Sequence, residues 1–142
     1  MDLELEGRGT PLQEPPANAV ILLDTNAVIW LHHGHRRGRQ LANHLGQLYV
    51  SPANLLELQF LIEVGRIRLR SGATVRDLAD DDRWAMDNPS SVDWFERALD
   101  MTWTRDPFDR LLVAHAAVRG WRLATGDGLL LDRLGPTATL EL

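Results

Sequence analysis

The chain contains no cysteine and no lysine, and none of its apolar runs approaches the roughly 20 residues that a membrane-spanning helix needs. The longest candidates, Ala19 to Leu23 and Leu111 to Val118, are far too short, and no charged-then-apolar signal peptide opens the sequence. A secreted or membrane-spanning protein is therefore disfavoured, and a cytoplasmic one expected. Without cysteine there is no disulfide framework, no thiolate nucleophile and no Cys-type zinc or iron–sulfur site. Any metal must sit on oxygen or imidazole. All fifteen cationic side chains are arginine. A GC-rich coding sequence would produce that bias by itself, but the rigid guanidinium fork also suits phosphate and base edges better than an ammonium does.

What is present suffices for one compact domain: 142 residues, 44% hydrophobic and 25% charged. The formal charge of −5 argues against tight nonspecific binding to DNA. Positive potential is nevertheless concentrated in one segment, His32, His33, His35, Arg36, Arg37 and Arg39, with no acid between Asn26 and Glu57. Asp80, Asp81 and Asp82 form the opposite extreme and read as a solvated loop or helix end.

Residues 1–18 read as a flexible leader, in which Gly7, Gly9, Pro11, Pro15 and Pro16 break any regular pattern, and 19–142 as a single domain. Ala19 to Leu23 is a short apolar run ending at Asp24, the pattern of a strand buried on both faces of a parallel sheet. Leu48 to Val50 predicts a second strand. Ser51-Pro52 then starts a helix with Leu55, Leu56, Leu58, Phe60 and Ile62 inward, stopped by Gly65. Further helices are expected over Thr74 to Trp84, Val92 to Met101 and, launched by Asp106-Pro107, Pro107 to Arg119. Trp121 to Ala124 reads as a strand, Gly126-Asp127-Gly128 as a tight turn and Thr137 to Leu142 as a last edge strand. Strands and helices alternating in this way predict a three-layer α/β/α domain with a mainly parallel sheet.

In such sheets ligands bind outside the carboxyl ends of the strands. Five acids are expected at that edge: Asp24, Glu57, Asp106, Asp109 and Asp127. Each except Glu57 also has a local explanation. Asp106 before Pro107 is a helix N-cap, Asp109 gains from the helix dipole, Asp24 can cap the next helix, and Asp127 can be a turn residue. Their common location is what carries weight. Gathering carboxylates costs roughly 4 kcal/mol per close pair at an effective dielectric near 20, so a cation must offset it. Oxygen ligands select Mg²⁺ or Mn²⁺, and such a cation with open water positions can drive hydrolysis of a phosphodiester.

Leu22-Leu23-Asp24-Thr25-Asn26, Ser51-Pro52-Ala53-Asn54-Leu55-Leu56-Glu57, Arg105-Asp106-Pro107-Phe108-Asp109-Arg110 with the following Leu111 to Ala116, and Leu123-Ala124-Thr125-Gly126-Asp127 occur in this order. This set resembles the four motifs of a PIN domain of the VapC toxin type across residues 19–142, the Asp-Pro-Phe-Asp-Arg block being the most specific. The resemblance implies a PIN-like fold and a metal-dependent endoribonuclease toxin using Mg²⁺ or Mn²⁺. It also implies a homodimer held inactive by a VapB-type antitoxin. Asp24, Glu57, Asp109 and Asp127 match the catalytic and metal-binding acids, Asn26 and Thr125 match polar neighbours, and Asp106 joins them as a supporting residue. The leader is an addition to the pattern, and His115 stands where a glutamine is common, which points to a core or interface position. The histidine run could be a zinc site, though without a partner cluster a solvated or RNA-facing loop fits better.

Two other functions compete: a housekeeping nuclease for RNA processing or DNA flaps, and a catalytically silent PIN-like module. The first is disfavoured by the lack of an appended RNA-binding module, the second by retention of all the acids. A haloacid-type phosphatase is excluded because Asp24-Thr25-Asn26 lacks the Asp-x-Asp pair. Arg36, Arg37 and Arg39 are the expected RNA-binding rim. An antitoxin is expected to place an arginine or lysine among the acids and to pack apolar residues near Leu56 and Phe60, or else to block the rim.

Overall fold

In the computed structural model, which describes residues 19–142, the strands form one parallel sheet ordered β3-β2-β1-β4-β5. These are β1 (Val20–Leu23), β2 (Gln47–Val50), β3 (Ala85–Met86), β4 (Arg122–Thr125) and β5 (Thr139–Glu141). The helices are α1 (Thr25–His33), α2 (Arg39–Ala42), α3 (Pro52–Glu63), α4 (Val75–Ala79), α5 (Ser91–Leu99), α6 (Pro107–Arg119) and α7 (Gly128–Leu134). The leader expected over 1–18 lies outside the described residues.

The apolar run of β1 forms the centre because both of its faces are covered. Ile21 and Leu23 join Val28, Leu41, Leu58 and Leu78, whereas Leu22 joins Trp94, Leu112, Leu123 and Leu130. Alternate side chains of one strand thus enter two cores, the period-two geometry of a sheet between helical layers. Helices α1 to α4 build one layer and α5 to α7 the other. Together with the parallel sheet this is the three-layer α/β/α fold.

Local signals explain the helix boundaries that position the acids. Asp24 caps α1 by accepting the Ala27 N–H at 2.7 Å. Ser51 and Asn54 form a reciprocal capping box at the start of α3. Asp106 caps α6, and Gly120, with φ of +70°, ends it.

Several details differ from the sequence reading. The helix expected over Thr74 to Trp84 stops at Ala79, because Asp81 turns back to hold Arg83 at 2.6 Å; Trp84 is buried and its indole N–H donates to the Leu78 carbonyl at 2.8 Å. The following Ala85–Met86 pairs with β2 as an edge strand too short to show a periodicity. The turn at Gly126 to Gly128 is the start of α7, with Asp127 as its cap. Leu56 and Phe60 are not inward but 63% and 47% exposed. Apolar residues surround α3 on nearly every side, so its sequence could not select the buried face, which Ala53, Asn54 and Leu58 supply.

Candidate active site

Asp24 follows β1 and is nearly buried. Its backbone N–H donates to the Ala124 carbonyl at 3.1 Å, continuing the pairing of β1 with β4 past the strand end. That places Asp24 beside Thr125. Burial pushes the Asp24 carboxyl up to about 6, against hydrogen bonds from Thr125 and the Ala27 N–H and the nearby Arg37 charge, while Asp127 adds repulsion.

Glu57 projects from the second turn of α3. Burial raises its pKa, the Thr25 side chain counteracts this by hydrogen bonding, and the charges of Asp106 and Asp24 raise it further. Asp109, in the first turn of α6, is pushed up to about 7 by burial and by Asp106, Glu57, Asp127 and Asp24. The helix N-terminus should favour a carboxylate there, so burial and repulsion outweigh the dipole. Asp127 is exposed and accepts the N–H groups of Leu129 and Leu130 at 2.9 and 3.2 Å. Asp106 is also exposed and accepts those of Phe108 and Asp109 at 2.8 and 3.3 Å.

Asp24, Thr25, Asn26, Glu57, Asp109 and Asp127 line a common cleft of about 50 Å³, closed at its base by Leu61, Leu112 and Leu130. Of the residues picked from sequence, Thr125 lies behind it, accepting the Asp127 N–H at 3.0 Å, and Asp106 sits close enough to Asp109 and Glu57 to raise both. Arg37 reaches this neighbourhood; Arg36 and Arg39 are exposed on the same turn.

The donor chemistry fits a hard divalent cation: all-oxygen groups, three of them, Asp24, Glu57 and Asp109, driven up by burial and by neighbouring acids, which a positive charge would relieve. Asp24, Asp109, Glu57 and Asp127 are the groups that could hold it. Among the described residues no three His, Asp or Glu side chains stand close enough together to cage a metal ion. A cation bound through one or two carboxylates and several waters, the usual habit of Mg²⁺, needs no such cage.

Asn54 and Asp87 escaped the sequence reading, whereas His115 occupies the core position expected of it. Asn54 is fully buried and donates to the Leu23 carbonyl at 3.2 Å and to the Thr25 hydroxyl at 3.1 Å, tying α3 to the end of β1 under Glu57. The Ser51-x-x-Asn54 spacing of a capping box was the available signal. His115 is fully buried; its Nε2 pairs with Asp87 at 2.7 Å while Nδ1 has no partner among the described residues, and burial lowers its pKa. Asp87 also holds Arg119 at 2.8 Å. Among the described residues the histidine run is not gathered with two further His, Asp or Glu side chains into a metal-holding group. The Arg70 N–H donates to His32 Nε2 at 3.0 Å, and His35 Nδ1 accepts the Arg37 N–H at 3.1 Å.

A parallel α/β domain with carboxylates from separate elements gathered around one cleft at the sheet's carboxyl edge is the class that fold and site define. The chain belongs to the PIN domain family, which matches residues 21–134. It is 32% identical over 122 residues to "Ribonuclease VapC22" of Mycobacterium tuberculosis, covering 82% of this chain and 93% of that protein. The fold is shared with a toxin–antitoxin complex from Klebsiella pneumoniae, with a TM-score of 0.60, 21% identity and coverage of 86% of this chain and 99% of the other. It is likewise shared with VapBC2 from Rickettsia felis bound to a promoter DNA fragment, with a TM-score of 0.59, 18% identity and coverage of 86% and 97%.

Proposed function

We propose that the protein is a Mg²⁺- or Mn²⁺-dependent endoribonuclease toxin of the VapC type. The single observation that carries this reading is the cleft in which Asp24, Glu57 and Asp109 all have raised pKa values, on a chain similar over most of its length to a ribonuclease. Asp24, Glu57, Asp109 and Asp127 serve as catalytic and metal-binding acids, supported by Asn26, Thr125 and Asp106. A divalent cation, when bound, supplies Lewis acidity and an activated water for hydrolysis of the phosphodiester. The residues of the chain prepare for it. Thr125 and the Ala27 N–H orient Asp24, and a cation held by these acids would favour the ionised form of Asp109.

An anionic cleft repels RNA, and the Arg36, Arg37 and Arg39 rim supplies the opposing attraction. The cognate VapB-type antitoxin places an arginine or lysine among the acids, where a guanidinium can bridge two carboxylates. Exposed Leu56 lines a groove of about 560 Å³ between α3 and α4, and exposed Phe60 lies near Phe108, both suited to apolar partner residues. The protein acts as a homodimer in the cytoplasm.

The test is cleavage of structured RNA by purified protein with Mg²⁺, Mn²⁺ or EDTA, alongside Asp24→Asn and Asp109→Asn. Metal-dependent cleavage by the wild type, lost in both variants, is expected. Undiminished cleavage in EDTA or by Asp24→Asn overturns the metal assignment, and no cleavage of any RNA by metal-loaded protein returns the silent-module reading. Inhibition by the product of a short upstream reading frame separates a toxin from a housekeeping nuclease.

A further inference from the structure

The three rim arginines are not equivalent. Arg37 lies with its guanidinium 4.2 Å from the ring centre of Trp30, and its Nη2 donates to the main-chain oxygen of Leu142 at 3.0 Å. Its backbone N–H is held by His35, whose ring stacks on the same Trp30 at 5.9 Å. The guanidinium and Trp30 together cover Gly126 in the loop between β4 and α7. A Cβ on Gly126 would lie 2.9 Å from Trp30 Cη2 and closer still to Arg37 Nη2. Gly126 has no positive φ, so the constraint there is close approach: a Cβ would have to push aside the Trp30 ring edge and the end of the Arg37 side chain. Arg36 and Arg39 have no side-chain hydrogen bond, ion pair or aromatic contact among the described residues.

This geometry leaves Arg37 fixed but not saturated. A guanidinium has five N–H donors in a planar fork, and only Nη2 has a protein acceptor among the described residues. Arg37 is exposed, its neighbour Gly126 adjoins Asp127, and its charge acts on Asp24. Among the described residues this cation makes no salt bridge to Asp24 or Asp127 and keeps unpaired donors near the cleft. A ligand for it must be anionic, able to accept two parallel N–H bonds, and positioned beside the acids. A backbone phosphate of the RNA strand meets all three requirements.

Resting on the ribonuclease reading, we propose that Arg37 is a prebuilt grip for one phosphate of the bound RNA, held in place by Trp30 and the main-chain oxygen of Leu142 over the bare backbone of Gly126. Arg36 and Arg39 attract RNA only through their charge. A stacked, hydrogen-bonded side chain loses little conformational freedom on binding, so Arg37 contributes most of the contact.

The experiment uses the full chain carrying Asp109→Asn to prevent cleavage, with affinity for a single-stranded RNA measured across a salt series. Adding Arg37→Ala is expected to weaken binding about tenfold and to flatten the salt slope by about 0.7, the loss of one single-strand phosphate contact. Arg36→Ala and Arg39→Ala should each do distinctly less. Gly126→Ala changes no charge but dislodges the guanidinium, and is expected to reproduce most of the Arg37→Ala loss while adding little in the Arg37→Ala background. Mn²⁺ affinity, measured without RNA on chains with all acids intact, is expected to rise or stay constant in Arg37→Ala, since a nearby cation is removed. Unchanged RNA affinity and slope in Arg37→Ala overturns the grip. Parallel loss of RNA and Mn²⁺ binding also overturns it, because Arg37 would then only maintain the loop. If the folded Asp109→Asn chain fails to bind RNA before any arginine is changed, the ribonuclease reading itself falls and the grip with it.

Discussion

Replacing Asp24 by asparagine is expected to stabilise the metal-free protein above neutral pH. The carboxyl is only 6% exposed and its pKa is raised from 3.8 to about 6. A difference of about two units corresponds to about 3 kcal/mol, at 1.36 kcal/mol per unit. The sign follows from proton binding. The native state holds this proton more tightly than the unfolded chain does, so the contribution is fully present below pH 3.8 and is lost as pH rises through about 6. Asparagine carries no charge, and its Oδ1 can still accept the Ala27 N–H, so the cap survives. Urea unfolding in EDTA should therefore give Asp24→Asn an advantage of about 1–3 kcal/mol at pH 8, shrinking toward zero near pH 4. Saturating Mn²⁺ should reverse the order, since cation binding stabilises only the chain that keeps its ligands, by about 2.7 kcal/mol at a hundred times Kd. A pH-independent difference, or a variant less stable than wild type at pH 8 in EDTA, would show that burial and repulsion at Asp24 have been misjudged.

Glu57→Gln should abolish metal-dependent cleavage while leaving the circular dichroism spectrum unchanged, because its carboxylate lines the cleft and caps nothing; persistent activity would remove it from the catalytic set. Asp87→Ala should cost about 1–3 kcal/mol in denaturant unfolding, since it removes the one polar partner that buried His115 has among the described residues, yet should leave Mn²⁺ affinity unchanged; a drop in affinity would tie that cluster to the cleft. Asp106→Ala should lose about 1 kcal/mol from the missing helix cap and also lower the pKa of Asp109, so that carboxyl, followed by NMR, should titrate below about 7.

The strand-to-acid register was legible because it depends on local rules. A short apolar run can be covered on both faces only in the sheet interior, so the acid ending it must fall at the sheet edge. Cap-plus-proline signals at Ser51-Pro52 and Asp106-Pro107 likewise fixed where α3 and α6 begin. What failed depends on contacts between distant segments. The face of α3 is chosen by its neighbours in the fold, so Leu56 and Phe60 could not be placed outward from a helix apolar nearly all round. Arg37 reads as one of three arginines until Trp30, Gly126 and Leu142 are brought around it. The Asp87 and His115 pairing joins residues 28 apart through the end of a two-residue strand, which leaves almost no trace in sequence.

Structural and chemical explanations of the acids, set against each other in sequence, are compatible in the fold. Asp24, Asp106 and Asp127 each use Oδ1 to cap a helix, so the backbone fixes the carboxyl's position and leaves Oδ2 without a backbone bond. A metal-binding carboxylate needs the same thing: one oxygen restrained so that the other points to a defined place without further ordering cost. The caps also place helix N-termini at the cleft, and their positive ends offset part of the repulsion that gathering the acids creates. Asp109 and Glu57 cap nothing. They are held instead by burial against Leu61 and Leu112, and there the remaining electrostatic cost shows as raised pKa values. Asp106 and Asp127 thus supply geometry from exposed positions, whereas buried Asp24, Glu57 and Asp109 carry the electrostatic cost, visible in their raised pKa values, that a divalent cation in the cleft would relieve.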